Sequence, residues 1–407
     1  MLAGEGMTAV RRALLAAFVL GLGFSITLAQ TALAILTLLW LGRLCSRETR
    51  DAVRWPLWRP VLTFGAVSVM SALFAVHPAE GLVACKKLLL VAILYVSTDE
   101  LDSVERAERL LSALALVVAA AAMVGLLQVS FCPGHEADYG SPAWLYHRCA
   151  RARGFFSSYM TLAGVLNLTL LVSLPRLLLD TTFRPWLVTA WFASLGGLAA
   201  TYTRGAWIGF ASGVLALWTP IRRGRWLLVT GFLVMGLAVL AGPQHLRERA
   251  LTMTDPDDVT VKERTYMWRS GIAMWREHPW LGVGPGGVKR EYRNYALAEA
   301  SMKRTGHVHN SALQILVETG VAGLLAWLWL WAAFYTEAVR LFRRLPAAAI
   351  KERALVAGSI AAITGFLVAG MSEHNFGDSE VVMLAWMIMA LPFTVRGARA
   401  GGKPDTP

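Results

Sequence analysis

Charge is what this 407-residue sequence has least of: Asp, Glu, Lys and Arg make up 16% of it, against roughly 25% in soluble domains. Acid is the scarcer sign, 27 residues against 39 basic ones, which leaves a formal charge of +12. This deficit excludes a water-soluble protein. The matching surplus, 56% hydrophobic residues, falls in blocks of about 15–30, the length that crosses ~30 Å of hydrocarbon. The excess of base does not point to nucleic acid, which would want the basic residues gathered on one soluble face. Here they punctuate the apolar blocks. The chain also lacks an internal repeat, a low-complexity tract, a soluble domain and an evident cleavable signal peptide. Four cysteines say little; Cys132 and Cys149 share a loop and can pair if that compartment is oxidising. Such a bond would hold the loop and do no chemistry.

What is present reads as an all-α, polytopic integral membrane protein, one membrane domain over residues 1–407. About twelve spans are expected: 12–25, 27–42, 60–76, 81–97, 109–128, 157–175, 185–202, 205–219, 226–242, 311–340, 353–371 and 380–395. The first apolar run is split at Gly23–Ser25, which puts both termini in the cytoplasm. The inside segments then hold Arg43, Arg47, Arg50, Arg54, Arg59, Arg222, Arg223, Arg225, Arg340, Arg343, Arg344, Lys351, Arg353 and Arg396. That bias fixes orientation, since basic residues collect on the cytoplasmic side. Two long segments, 129–156 and 243–310, fall on the outer side. Long loops in compact proteins are usually functional.

In the larger loop, Thr260-Val-Lys-Glu263 has the form of a capping box. The helix that follows should stop near His278-Pro279. Its predicted apolar stripe is Trp268, Ile272 and Trp275, with Arg264 leading it. Arg264 either points toward the membrane edge or an inner cavity, or makes a plain surface contact. Leu281-Gly-Val-Gly-Pro-Gly-Gly287 is too poor in Lys, Ser and Thr for a phosphate loop and reads as a structural corner. Lys289, Arg290 and Arg293 mark a basic interfacial helix. Asp255-Pro-Asp257-Asp258 suits a flexible acidic turn better than a cation site. The tenth span is expected to start at a second capping box, Ser311-Ala-Leu-Gln314. His309 then lies just outside a helix N-terminus, where the dipole disfavours a second positive charge. A neutral imidazole there can accept a proton as a general base, and the exposed amides can hold an anion. A capping or packing histidine is the bland alternative. No cysteine or carboxylate pair completes a metal site with His307 and His309.

The same outer face gathers Arg204, in the tight turn Thr201-Tyr-Thr-Arg-Gly-Ala-Trp207, and Lys86 and Lys87, in the first turns of the fourth span. Arg151 and Arg153 stand where the first loop re-enters the membrane, and Glu373-His374-Asn375 occupies the last outer turn. Ionisable residues at such depths are expensive and often functional, although lysines snorkel. Arginine suits phosphate because its planar fork donates two parallel hydrogen bonds. An amphiphile with a diphosphate head at the bilayer edge would explain the cluster.

His309-Asn310, then Gly320-Val-Ala-Gly323 after nine residues, resembles the signature of bacterial O-antigen ligases. Arg204 in its Thr-Arg-Gly turn and Arg264 ahead of the Leu-Gly-Val-Gly-Pro segment match that family's other marked positions. The likeness takes in most of the chain, and the wider superfamily includes O-antigen polymerases and protein O-oligosaccharyltransferases. The resemblance implies a GT-C-like glycosyltransferase of the inner membrane, its active site facing the periplasm. It implies transfer of a glycan from undecaprenyl diphosphate to the lipid A–core oligosaccharide, with inversion and with neither metal nor cofactor. His309 would be the base and Arg204 and Arg264 the groups that stabilise the departing diphosphate. Arg153, Lys87, Lys86 and Asn310 would be supporting contacts to the lipid-linked glycan. A polymerase or an oligosaccharyltransferase differs in its acceptor, for which no residue can be read. A transporter of lipid-linked glycans commonly shows repeats and midplane charges; no repeat is seen and the charges cluster at one face, which disfavours that reading.

Overall fold

The computed structural model describes residues 2–46, 50–51, 53–132, 150–179, 184–218, 226, 247, 251, 255 and 257–401. The regular elements among them are helices. A hairpin of α1 (Leu2–Phe24) and α2 (Ile26–Leu44) opens the fold. Ser25 breaks the apolar run where the sequence suggests, and its hydroxyl accepts from the Leu28 amide at 3.4 Å as the N-cap of α2. Then come α3 (Trp58–Leu73), α4 (Pro78–Ala84), a 3-10 passage (Cys85–Val91), α5 (Ala92–Glu100) and α6 (Val104–Ser130). After the first long loop follow α7 (Tyr159–Leu179), α8 (Pro185–Ala200) and α9 (Arg204–Ala216). The second long loop carries α10 (Val259–Glu277) and α11 (Val288–Tyr295), and the chain ends with α12 (Ser311–Arg344), α13 (Ile350–Ala369) and α14 (Ser379–Gly401).

Eight of these stretches are long and apolar enough to cross a membrane: 6–24, 26–44, 78–100, 104–130, 159–179, 311–344, 350–369 and 379–399. The expected count of twelve is not reached among the described residues. Three expected spans are shorter helices, α3 and α8 with 16 residues each and α9 with 13. At 1.5 Å per residue a 13-residue helix covers only ~20 Å. The expected span 226–242 lies, apart from Trp226, outside the described residues. The fourth span is not one α-helix, because Lys86 and Lys87 sit in its 3-10 passage.

The core is built around α7, α13 and α14, the most enclosed of the spans. Close backbone approach explains the small residues there: Asn167 of α7 donates to the Gly365 carbonyl of α13 at 3.3 Å. A side chain at Gly358 would run into the Val172 carbonyl. Helices in a membrane gain most of their association from such close packing. At the opposite end from His309, Arg11, Arg43 and Arg54 surround the buried carboxylates of Asp99 and Glu100.

The long loop docks on the bundle through its glycines. α12 breaks at Gly320, whose φ of 66° and ψ of −168° no helix contains. The glycine-rich segment after α10 fills the break. Val283 and Gly284 donate their amides to the Val317 and Glu318 carbonyls at 2.9 Å each. Val321 and Ala322 donate in return to the Pro279 and Trp280 carbonyls, at 2.9 and 3.3 Å. Backbone groups orphaned by the break are thereby satisfied, as buried amides require. Ser71 of α3 fastens the same segment, donating to the Leu281 carbonyl at 2.5 Å.

Candidate functional site

The site is assembled where the last turn, residues 370–378, meets the starts of α9, α10 and α12. Asn310, rather than the expected Ser311, caps α12, its Oδ1 accepting from the Leu313 amide at 2.9 Å. Asparagine is among the best N-caps, and Ser311 is left free for another task. It donates from Oγ to the Glu373 carbonyl at 3.1 Å and lies 2.9 Å from Asn375 Oδ1. Asn375 Nδ2 reaches the Phe366 carbonyl at 2.7 Å. The last turn is thus bolted to the head of α12. The expected box at Thr260 gives way in the same manner. Asp258 caps α10, accepting from the Thr260 and Val261 amides at 2.9 and 3.3 Å. Glu263 instead accepts from the Ser301 amide at 3.0 Å. The buried face of α10 is Met267, Ser270, Gly271 and Met274, with Trp268 and Trp275 at its edge rather than at its centre.

These fastenings bring Glu373 between two of the predicted residues. Its Oε2 lies 3.2 Å from His309 Nδ1, and its Oε1 pairs with Arg264 Nη2. The Glu373 side chain is 9% exposed and that of His309 16%, so both are largely shielded; Glu373 lines the neighbouring cavity and His309 does not. His309 holds a left-handed backbone, φ 50°, a costly conformation for a residue with a Cβ and one found at functional sites. Arg204 is buried and donates from Nη2 to Asp258 Oδ2 at 3.0 Å. Burial pulls the Asp258 carboxyl up, but Arg204 and the two capping amides outweigh it and hold this acid below its usual range. Arg204 and Arg264 therefore both stand at α10, each against a carboxylate.

Beside this cluster opens a cavity of about 1080 Å³. One part of its wall is apolar, from α3, α12 and α14: Leu62, Phe64, Leu330, Val382 and Trp386 are examples. The other part is polar and carries Lys87, Lys289, His307, Glu318, Glu373 and His374. Lys87 Nζ donates to the Gly377 carbonyl at 2.7 Å. The His307 ring centre lies 4.2 Å from that of His309 and 5.4 Å from that of His374. Burial, followed by the nearby His309 and Lys87, pushes the His307 pKa down to about 4. Burial, with His307 and Lys87, sends His374 well below the usual range.

Of the residues singled out in the sequence, His309 and Arg264 meet through Glu373, Arg204 joins through Asp258, and Lys87 lines the cavity. Asn310 serves as a helix cap. Arg153 donates to the Ser157 carbonyl at 3.2 Å and stands over Tyr159; Ser157 lines the cavity and Arg153 does not. Lys86 is exposed and does not line it. Cys132 is disulfide-bonded, and Cys149 lies outside the described residues. Lys289 and Arg290 lie on α11, where Arg290 pairs with Glu80 of α4 and Glu291 lies 2.9 Å from His77. Asp257 pairs with Lys262 at 2.8 Å. The residue that the motifs did not single out is Glu373. Its signal was an acid, an imidazole and an amide packed into one short turn between apolar spans.

Long apolar helices and a polar site at one of their ends define a polytopic integral membrane protein. Residues 189–328 match the O-antigen ligase family model, a stretch that contains Arg204, Arg264, His309 and Gly320. An O-antigen ligase of Pseudomonas aeruginosa is 26% identical over 209 residues. That likeness takes in 50% of this chain and 46% of the relative's length. Both findings support an O-antigen ligase family assignment for this chain.

Proposed function

We propose that this protein is an O-antigen ligase. It takes the polysaccharide from undecaprenyl diphosphate and places it on the lipid A–core oligosaccharide at the periplasmic face of the inner membrane. The observation that carries the reading is the Arg264–Glu373–His309 chain beside a cavity whose wall turns from apolar to basic. In this reading the polyprenyl chain lies along the apolar wall and the diphosphate meets Lys87. An acceptor hydroxyl attacks the anomeric carbon as its proton passes to His309 Nε2, the nitrogen not held by Glu373. The bond to the diphosphate breaks, the diphosphate leaves with the electron pair, and a single displacement inverts the configuration. Glu373 then faces an imidazolium, whose charge it balances. Arg264 has more N–H donors than one carboxylate uses, and with Arg204 and Lys87 it supplies the positive field for the departing diphosphate. The reading needs no metal.

The test uses purified protein in detergent with lipid-linked glycan and lipid A–core, with and without EDTA. Glycosylated lipid A–core should form under EDTA, and His309→Ala should cut the rate by about 10²–10⁴, the usual worth of a general base. Lengthening of the lipid-linked glycan with unmodified lipid A–core identifies a polymerase instead, and transfer to a protein identifies an oligosaccharyltransferase. Full activity of a folded His309→Ala protein removes the mechanism.

A further inference from the structure

We infer that His307 and His374 form the subsite for the first sugar of the donor, the ring that carries the anomeric carbon. The inference rests on the ligase reading and deepens it. Both imidazoles line the polar part of the cavity. Their Nδ1 atoms are buried and have no hydrogen-bond partner among the described residues. Buried polar groups are nearly always satisfied, and leaving one unmade is costly. Two such rings 5.4 Å apart border one cavity and carry hydrogen-bonding capacity that the described residues do not use.

Position selects the ligand. The anomeric carbon must come within about 3–3.5 Å of the attacking oxygen, and that oxygen must reach His309 to give up its proton. The first sugar therefore lies within about one ring of His309. His307 stands there, 4.2 Å from His309 ring to ring, with His374 behind it. The diphosphate is joined to the same sugar, and Lys87, held on the Gly377 carbonyl and near both rings, is the cation that meets it. Gly377 also leaves room for the edge of His374, against which any added Cβ would collide.

Chemistry selects it too. A neutral imidazole offers one N–H donor and one acceptor nitrogen, the same pair of functions as a sugar hydroxyl. A phosphate has only acceptors and calls for cations. Burial keeps both rings neutral across the physiological range, so they are poorly suited to hold the diphosphate and well suited to hold hydroxyls.

The experiment compares equilibrium binding of two lipids in detergent, without acceptor: undecaprenyl diphosphate, and undecaprenyl diphosphate bearing a single glucose. His307→Ala and His374→Ala should each bind the glucosylated lipid about tenfold more weakly than the unmodified protein, the loss of one hydrogen bond of about 1.4 kcal/mol. Their affinity for the bare lipid should be unchanged, which also shows that they have folded. Equal weakening for both lipids would mark a phosphate contact and overturn the subsite. So would unaltered binding of the glucosylated lipid. Should the unmodified protein bind neither lipid, the ligase reading itself fails and the subsite with it.

Discussion

Glu373 ties the candidate site together at the scale of a single side chain. A carboxylate with 9% exposure is expensive to bury unless it is paired, and here it has two partners, Arg264 and His309. In the proposed mechanism, holding Nδ1 of His309 would fix the ring and leave Nε2 as the proton acceptor, the logic by which a carboxylate orients the imidazole of a hydrolase triad. Glu373→Gln keeps the shape but removes the charge that balances an imidazolium. We expect kcat to fall by about 10²–10⁴, with little change in the KM for either substrate. A variant with wild-type kcat would reduce Glu373 to a structural strut. His309, Arg204 and Arg264 stand out in the sequence because each matches a marked position of the family that the chain resembles. Glu373 was not, since its partners lie 64 and 109 residues away and no spacing encodes a contact made only by folding.

At the scale of the element, the break in α12 does what an unbroken span could not. Nine residues, 311–319, carry the head of the helix over the loop, and the segment 279–287 supplies the hydrogen bonds that Gly320 interrupts. The sequence showed that 281–287 is a corner and that a helix starts near residue 311. It did not show the break, because two glycines at that spacing also suit close packing of an unbroken span and the partner segment lies upstream. The caps were misplaced by one or two residues for a plainer reason: Asp258 and Asn310 are as good at capping as the neighbours that were favoured. Gly320→Ala meets both a positive φ and the Trp280 carbonyl. It should detach the loop from the bundle. We expect loss of activity together with rapid protease cleavage between residues 279 and 287, while detergent extraction and the size-exclusion profile stay normal. An intact loop and normal rate in that variant would show that the break is incidental.

Across the whole molecule, charge divides the two ends of the bundle. The 78–100 helical run, about 38 Å long at ~1.5 Å per α-helical residue and ~2.0 Å per 3-10 residue, has Lys87 as its tenth residue and Glu100 as its last. Around Glu100 and Asp99 stand Arg11, Arg43 and Arg54, three of the basic residues that fold back on the termini side. Around Lys87 stands the candidate site. If basic residues mark the cytoplasmic side, the site faces the periplasm, which is where lipid-linked glycan and lipid A–core would have to meet it. Cys45 offers a probe already in place, since it is an exposed free thiol two residues beyond Arg43. An impermeant maleimide should leave Cys45 unmodified in spheroplasts and modify it in inverted vesicles. A thiol introduced by Ser301→Cys, at an exposed position of the long loop, should behave in the opposite way. Labelling of Cys45 in spheroplasts would turn the protein over in the membrane. It would place His309 in the cytoplasm, and a ligase acting on a periplasmic acceptor could no longer be the reading.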